Sequence, residues 1–231
     1  MSFNNGPTIV TNGLVLALDA GDKNSYVSGS TTWFDLTGVN NGTLVNGPTF
    51  NSGSGGSIVF DGVDDYVNLG NLGINHPFHV SFWALEPTGS VLGGPLISFT
   101  DPANSNVPFM LQVGKTGANA IRLVYYPTGG SFTSANYTGI NYNQIYYCSA
   151  NCTTSSYDLY VNGVYANSLT GTFTKTWTNT TSSYNLCFAN RSAGAFYQTG
   201  NIYGTQIYNR ALTASEVLQN YNATKGRFGL T

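Results

Sequence analysis

Charge is scarce in this sequence: only 8% of its 231 residues are Asp, Glu, Lys or Arg, against roughly 25% in an average soluble domain. Eight Lys and Arg against ten Asp and Glu leave a formal net charge of −2. No basic face is available for a phosphate backbone, so nucleic acid is not an expected partner. No apolar run approaches the roughly 20 residues needed to span a bilayer, so membrane insertion is not expected either. The opening Met1-Ser2-Phe3-Asn4-Asn5-Gly6-Pro7 lacks a positive region and an apolar stretch, so no secretory signal is expected. Cysteine is limited to Cys148, Cys152 and Cys187, an odd number that cannot all pair with one another. With no CxxC spacing and only His76 and His79 as histidines, the sequence does not offer the ligand set of a zinc site.

What is abundant is aromatic and turn-forming. Thirteen Phe, 16 Tyr and 3 Trp carry too much apolar surface to remain unfolded in water. Twenty-eight Gly spaced along the chain favour many short elements. Leu14-Val15-Leu16-Ala17-Leu18 is an apolar run stopped by Asp19-Ala20-Gly21-Asp22. Ser57-Ile58-Val59-Phe60 leads through an acidic turn to Tyr66-Val67-Asn68-Leu69. Residues 78–85 alternate, with Phe78, Val80, Phe82 and Ala84 on one side and His79, Ser81 and Trp83 on the other. Further strands are expected over 96–99, 109–113, 121–126, 145–152, 184–188 and 202–208. Residues 157–161 and 164–167 flank Asn162-Gly163, a pair suited to the positive φ angles of a type I′ hairpin turn. About a dozen strands and no βαβ alternation predict an all-β protein of two stacked sheets. Cys148 and Cys152, four apart in one strand, share a face. Free buried thiols are their expected state, with a disulfide or a metal pair as the alternative, and point to a reducing compartment where the chain folds.

One helix is expected near the end. Thr213-Ala214-Ser215-Glu216 has capping-box spacing, and Leu212 with Val217 can form the hydrophobic staple. Val217, Leu218 and Tyr221 form its apolar stripe, and Gly226 reads as its stop. With no Pro- or Ser-rich linker and no repeat, the expected organisation is an N-terminal arm over 1–10 and a single domain over 11–231.

Four motifs in order carry a family resemblance. They are Ser57-Ile58-Val59-Phe60-Asp61-Gly62-Val63-Asp64-Asp65-Tyr66-Val67, Phe78-His79-Val80-Ser81-Phe82-Trp83, Leu159-Tyr160-Val161-Asn162-Gly163, and the closing run from Ile207 through Val217. Across roughly residues 10–228 the chain resembles the LamG-like (laminin G-like) jelly rolls of the concanavalin A-like lectin/glucanase superfamily. The resemblance implies a two-sheet antiparallel jelly-roll sandwich with one short C-terminal helix. It also departs from the family: where relatives often read Tyr-Asp-Gly, this chain has Cys152-Thr153-Thr154, and Ile145 stands where a Trp is usual. A narrower resemblance rests on Asn12-Gly13-Leu14-Val15-Leu16-Ala17-Leu18-Asp19-Ala20-Gly21, Trp33-Phe34-Asp35-Leu36, Gly42-Thr43-Leu44-Val45-Asn46-Gly47-Pro48 and the ending 220–229. These are similar to LamG-like domains in structural proteins of tailed phages, including those of cyanobacteria.

Three kinds of site chemistry are open. Catalysis is not expected: the paired carboxylates of the superfamily's β-glucanases, a Glu-x-Asp-x-x-Glu strand, are absent. There is also no GxSxG, and Glu216 reads as a cap. No cofactor is required, but Asp61, Asp64 and Asp65 can offer calcium its oxygen ligands, as some LamG-like relatives do at one rim. The alternative is that these carboxylates cap backbone amides in tight turns. For sugar binding the candidates are aromatics in turn-rich stretches, Tyr126, Trp177 and Tyr197, whose alternative is packing or subunit contact. Trp33 and Trp83 are expected in the core.

The resemblance therefore implies a virion surface structural protein, a capsid decoration or tail fibre or tip subunit, assembled in the host cytoplasm. Its expected partners are other virion proteins, copies of itself and host surface glycans. The alternative is a free bacterial carbohydrate-binding or adhesion module, extracellular or on the cell surface and calcium-dependent.

Overall fold

The computed structural model describes residues 7–90, 93–100, 109–115, 118–126, 132–173, 185–188, 190–192 and 195–231. Strand propensity and alternation give two antiparallel sheets of eight strands. Sheet A runs β14 (Val164–Thr170), β13 (Ser156–Val161), β12 (Ile145–Cys152), β7 (Phe78–Leu85), β18 (Thr199–Tyr208), β5 (Ser57–Asp61) and β4 (Thr49–Asn51), with β1 (Leu14–Asp19) also paired to β18. Sheet B runs β11 (Thr133–Thr138), β10 (Ala118–Tyr125), β9 (Phe109–Lys115), β8 (Leu96–Thr100), β15 (Asn185–Phe188), β6 (Tyr66–Asn68), β3 (Gly42–Val45) and β2 (Thr32–Trp33). A separate hairpin joins β16 (Asn190–Ser192) to β17 (Ala195–Tyr197) and lies against β8. The fold is thus an all-β, jelly-roll-like sandwich.

The core forms where the inward faces meet. Phe78 and Phe82 of β7 and Ile207 of β18 pack against Phe99, Phe109, Leu111 and Leu123 of sheet B. Phe78 meets Phe99 and Phe109 edge-on, with ring centroids 5.5 Å apart in each pair, the geometry the ring quadrupole favours. Trp33 lies fully inside this core. Cys148 and Cys152 face the same core as buried free thiols, and burial pushes both thiol pKa values up. The Cys187 thiol and the expected strand start at Tyr184 fall outside what is described.

Sheet A is buried on its outer face as well. There α1 (Ala214–Thr224) lies over β7, β12 and β18, which is why β7 is apolar on one side and mixed on the other yet buried along seven of its eight residues. The capping box at Thr213 is complete: its side chain accepts from Glu216 N, and Glu216 accepts from Thr213 N at 2.8 Å. Leu212 and Val217 share one cluster, as the staple requires. Trp83 is buried beneath this layer rather than in the central core, against Tyr147, Tyr221 and Phe228, with its indole N–H donating to Thr224 Oγ1 at 2.9 Å.

Two helix details differ from the sequence reading. Leu218 is 42% exposed, and Asn220 is buried in its place, because the helix docks through a polar knot. The Asn220 amide accepts from Val10 N at 2.8 Å and donates to Tyr208 Oη at 2.9 Å, while Tyr208 donates to Val10 O. Gly226 is not the stop; a 3₁₀ turn, Lys225–Phe228, continues the chain to Gly229, whose φ of 68° ends it. The Asn162-Gly163 hairpin forms as expected, with φ of 50° and 78°. β2, β3, β4 and β11 lie where the sequence pattern predicts no strand.

Candidate functional site

The acidic residues of the first 66 positions separate into caps and a cluster. Asp35 is a buried cap, accepting from the backbone N–H groups of Ala17, Thr37 and Asn40 and from the Thr37 hydroxyl. Burial alone raises its pKa, but these donors outweigh it and hold the carboxyl below its ordinary value. Asp61, Asp64 and Asp65 instead converge at the turn joining β5 to β6, each offering an oxygen within 4.8 Å of the others. The turn is tight because Gly62 takes a φ of 81°, with Thr199 of β18 close against it. Part of the cluster is indeed capping: Asp61 Oδ1 accepts from Val63 N at 2.8 Å, and Asp65 Oδ2 from Asp61 N at 3.2 Å. Asp61 and Asp64 are exposed and Asp65 is buried. Burial raises the Asp65 pKa, the Asp61 N–H opposes this, and the two neighbouring carboxylates add to the rise. Three carboxylates, partly spent on these caps, offer fewer than the six to eight oxygens calcium takes. Water would supply the rest.

The sandwich brings one sugar-binding candidate to this turn. Tyr197, at the end of β17, lies 6.3 Å from Tyr66, the first residue of β6 and the neighbour of Asp65. Both rings are partly exposed, so an aromatic pair and a carboxylate cluster share one rim. Tyr126 is elsewhere: its ring packs on Leu96, Met110 and Val124 of the outer face of sheet B, 5.4 Å from Phe132. Trp177 lies outside the described residues. Tyr66 was legible only as a strand residue, since its partner comes from the far end of the chain.

Several further polar groups are buried. Glu86, just after β7, is 3% exposed, and burial pushes its carboxyl up to about 7. A Cβ at Gly114 would overlap the Glu86 carboxylate, so that glycine makes its room. On the outer face of sheet B Arg122 donates to Gln112 Oε1 at 2.9 Å, and Gln112 donates to Gln198 at 3.0 Å. His79 lies under α1, its Nδ1–H donating to Asn151 Oδ1 at 2.8 Å, and burial holds its pKa down at about 4. Cys148 and Cys152 face the core while His79 faces the opposite side of sheet A, so neither thiol forms a dyad with it. His76 bonds the Tyr157 hydroxyl instead.

Among the described residues no helix is long and apolar enough to cross a membrane. No curated protein matches the chain by sequence. Among solved structures, domain 4 of AbnA, a GH43 extracellular arabinanase from Geobacillus stearothermophilus, in complex with arabinotriose, superposes with a TM-score of 0.65 at 15% identity, over 94% of this chain and 100% of that one. Trypanosoma rangeli sialidase in complex with 2,3-difluorosialic acid gives 0.70 at 16% identity, over 96% of this chain but only 35% of the sialidase. The receptor binding domain of botulinum neurotoxin type G gives 0.65 at 16% identity, over 91% and 51%. These likenesses carry the fold and no more. A family model described as the Concanavalin A-like lectin/glucanases superfamily, Laminin_G_3, matches residues 61–218, well over half of the sequence, and the chain belongs to that family.

Proposed function

We propose that this chain is a non-catalytic glycan-binding module carried on a virion surface. The observation that carries glycan binding is the rim where Asp61, Asp64 and Asp65 crowd together beside the Tyr66–Tyr197 ring pair. Flat C–H faces of a sugar stack on such rings, and hydroxyls bond to carboxylates or to a cation held between them. The whole-length likeness to an arabinanase domain solved with arabinotriose supports the reading.

The non-catalytic part rests on where the carboxylates are: Asp61, Asp64 and Asp65 crowd within 4.8 Å of one another in a single turn, with Asp61 and Asp65 accepting backbone N–H groups, rather than standing on two sides of a sugar. Glycoside hydrolysis needs two carboxyl groups roughly 5–10 Å apart across a bound sugar, one of them protonated. Glu86 has the raised pKa of a general acid but is 3% exposed. Glu216 is engaged in its cap and with Arg210. Display on a virion rests on the resemblance of both chain ends to phage structural proteins, with copies of the chain and other virion proteins as partners.

A glycan array probed with the purified chain, with and without chelator, tests the first part. Binding that weakens in Asp64→Asn and in Tyr197→Ala is expected; binding indifferent to both places the site elsewhere. Hydrolysis of any bound glycan overturns the non-catalytic reading. Immunogold labelling of the source culture tests display: gold on particles is expected, and gold on cell envelopes alone favours the free bacterial adhesion module.

A further inference from the structure

A second recess opens on the same rim, a cavity of about 430 Å³ between residues 26–31 and residues 44–50. Its base is aromatic, with Tyr26 and Phe50 at a centroid distance of 5.4 Å and Phe50 only partly buried. Its walls carry the hydroxyls of Ser28, Thr31 and Thr49 and the side-chain amide of Asn46, all four on exposed residues. Two turns shape the mouth. Gly29 has a φ of 87° and Gly47 a φ of 101°, and a Cβ at either would meet nothing within 4 Å, so the lip carries no side chain there and stays wide. Asn46 is fixed by donating from Nδ2 to Asp64 O at 2.9 Å, which leaves its Oδ1 to accept from a ligand.

We infer that this cavity is a subsite for an uncharged sugar residue of the bound glycan, stacked toward Phe50 and hydrogen-bonded by Asn46, Thr49 and the facing hydroxyls. The inference rests on the glycan-binding reading and adds the chemical class. The volume falls in the range of roughly 300–1,000 Å³ typical of small-ligand sites, enough for a sugar ring and part of its neighbour. Selection against acidic sugars follows from two features. No Lys, Arg, Asp, Glu or His lines the cavity, so a carboxylate or sulfate brought into it loses hydration without gaining a counter-charge. Beyond Asn46 stands the Asp61, Asp64 and Asp65 cluster, whose field repels a second anion. Two other cavities among the described residues each include the oppositely charged Asp19 and Arg227 and lack this neutrality.

The test titrates the full chain with neutral oligosaccharides (arabino-, gluco-, galacto- and manno-) and with sialylated and uronate-containing ones, by calorimetry and saturation-transfer NMR. The neutral set is expected to bind at least about tenfold tighter than the acidic set. Ser28→Trp, a change at an exposed position that fills the mouth, is expected to weaken neutral binding about tenfold or more, and Thr49→Ala by about three- to tenfold. Thr31→Trp blocks from the same side, so the conclusion survives misfolding of either tryptophan variant. If glycans bind and both tryptophan variants bind as the parent does, the subsite is refuted while the glycan reading stands. A preference for acidic glycans overturns the assigned class. If no glycan binds the parent, the wider reading and the subsite fall together.

Discussion

Glu86 offers the sharpest test of the buried electrostatics. The residue is 3% exposed, and burial alone raises its carboxyl to about 7 from an ordinary value of 4.5. An acid whose folded pKa is raised holds a proton that the unfolded chain releases. Stability is therefore whole below about pH 4.5, falls as pH rises toward 7 and levels off above. A tenfold change in an acid's dissociation constant corresponds to about 1.4 kcal/mol, so the full penalty is about 3 kcal/mol at pH 8. Glu86→Gln keeps the shape that Gly114 and Gly94 accommodate and removes the ionisation. It is expected to stabilise the protein by about 2–3 kcal/mol at pH 8 and to change stability by less than about 1 kcal/mol at pH 4. Urea unfolding at pH 4, 6 and 8 reads this directly, because midpoints shift at constant slope when only stability changes. Parallel pH profiles for the parent and the variant would mean that Glu86 ionises in the fold at its ordinary pKa, and the burial argument would be wrong.

Three further outcomes follow from the helix and its contacts. Glu216 is held down to about 2, first by the Arg210 side chain at 2.6 and 2.9 Å and then by the Thr213 N–H. Glu216→Gln should cost about 1 kcal/mol above pH 5, a difference that disappears as pH falls through about 2, measured by thermal unfolding in a pH series. Gly163→Ala puts a Cβ at a φ of 78° and within 2.9 Å of Tyr221 Cβ; a loss of about 2 kcal/mol is expected, and an unchanged midpoint would deny the contact between hairpin and helix. Asn220→Ala removes the link between Val10, Tyr208 and α1, so limited proteolysis should cut near residues 7–13 faster than in the parent, with a stability loss of about 2 kcal/mol.

Local chemistry made part of the molecule readable. The run Ile145–Cys152 coincides with β12 because it is unbroken by Gly or Pro and rich in β-formers. The Asn162-Gly163 turn and the Thr213–Glu216 box declare themselves because both residues of each device lie within three positions. What stayed hidden depends on distant partners. Glu86 is buried because glycines at 94 and 114 leave it room, and nothing beside Pro87 announces that. Tyr66 and Tyr197 meet only because β18 pairs with β5 and β6 with β15. β3 and β4 are too short and too rich in Asn, Thr and Gly for period-two alternation to stand out from a loop.

The distribution of burial decides where recognition can occur. On sheet A the outer face carries His79, Ser81, Tyr147, Ser149 and Tyr208, the kind of polar and aromatic row that could grip a ligand, yet all five are fully buried. Val217, Asn220, Tyr221 and Phe228 close over that row, and Arg227 fastens their trailing end by pairing with Asp19 at 2.5 Å and donating to the carbonyls of Gly55 and Gly56. On sheet B the outer-face side chains of Leu96, Ser98, Met110, Gln112 and Arg122 are buried too. A ligand reaching either row must first displace packed structure, which costs the hydrophobic and hydrogen-bond energy that holds the layer. Among the described residues the loops joining β3 to β4 and β5 to β6 carry no such cover, and there exposed carboxylates, hydroxyls and partly exposed rings stand together. A glycan bound at that rim, as proposed, would leave both sheets intact, so specificity could change with the loops while the sandwich, fixed by its core, did not.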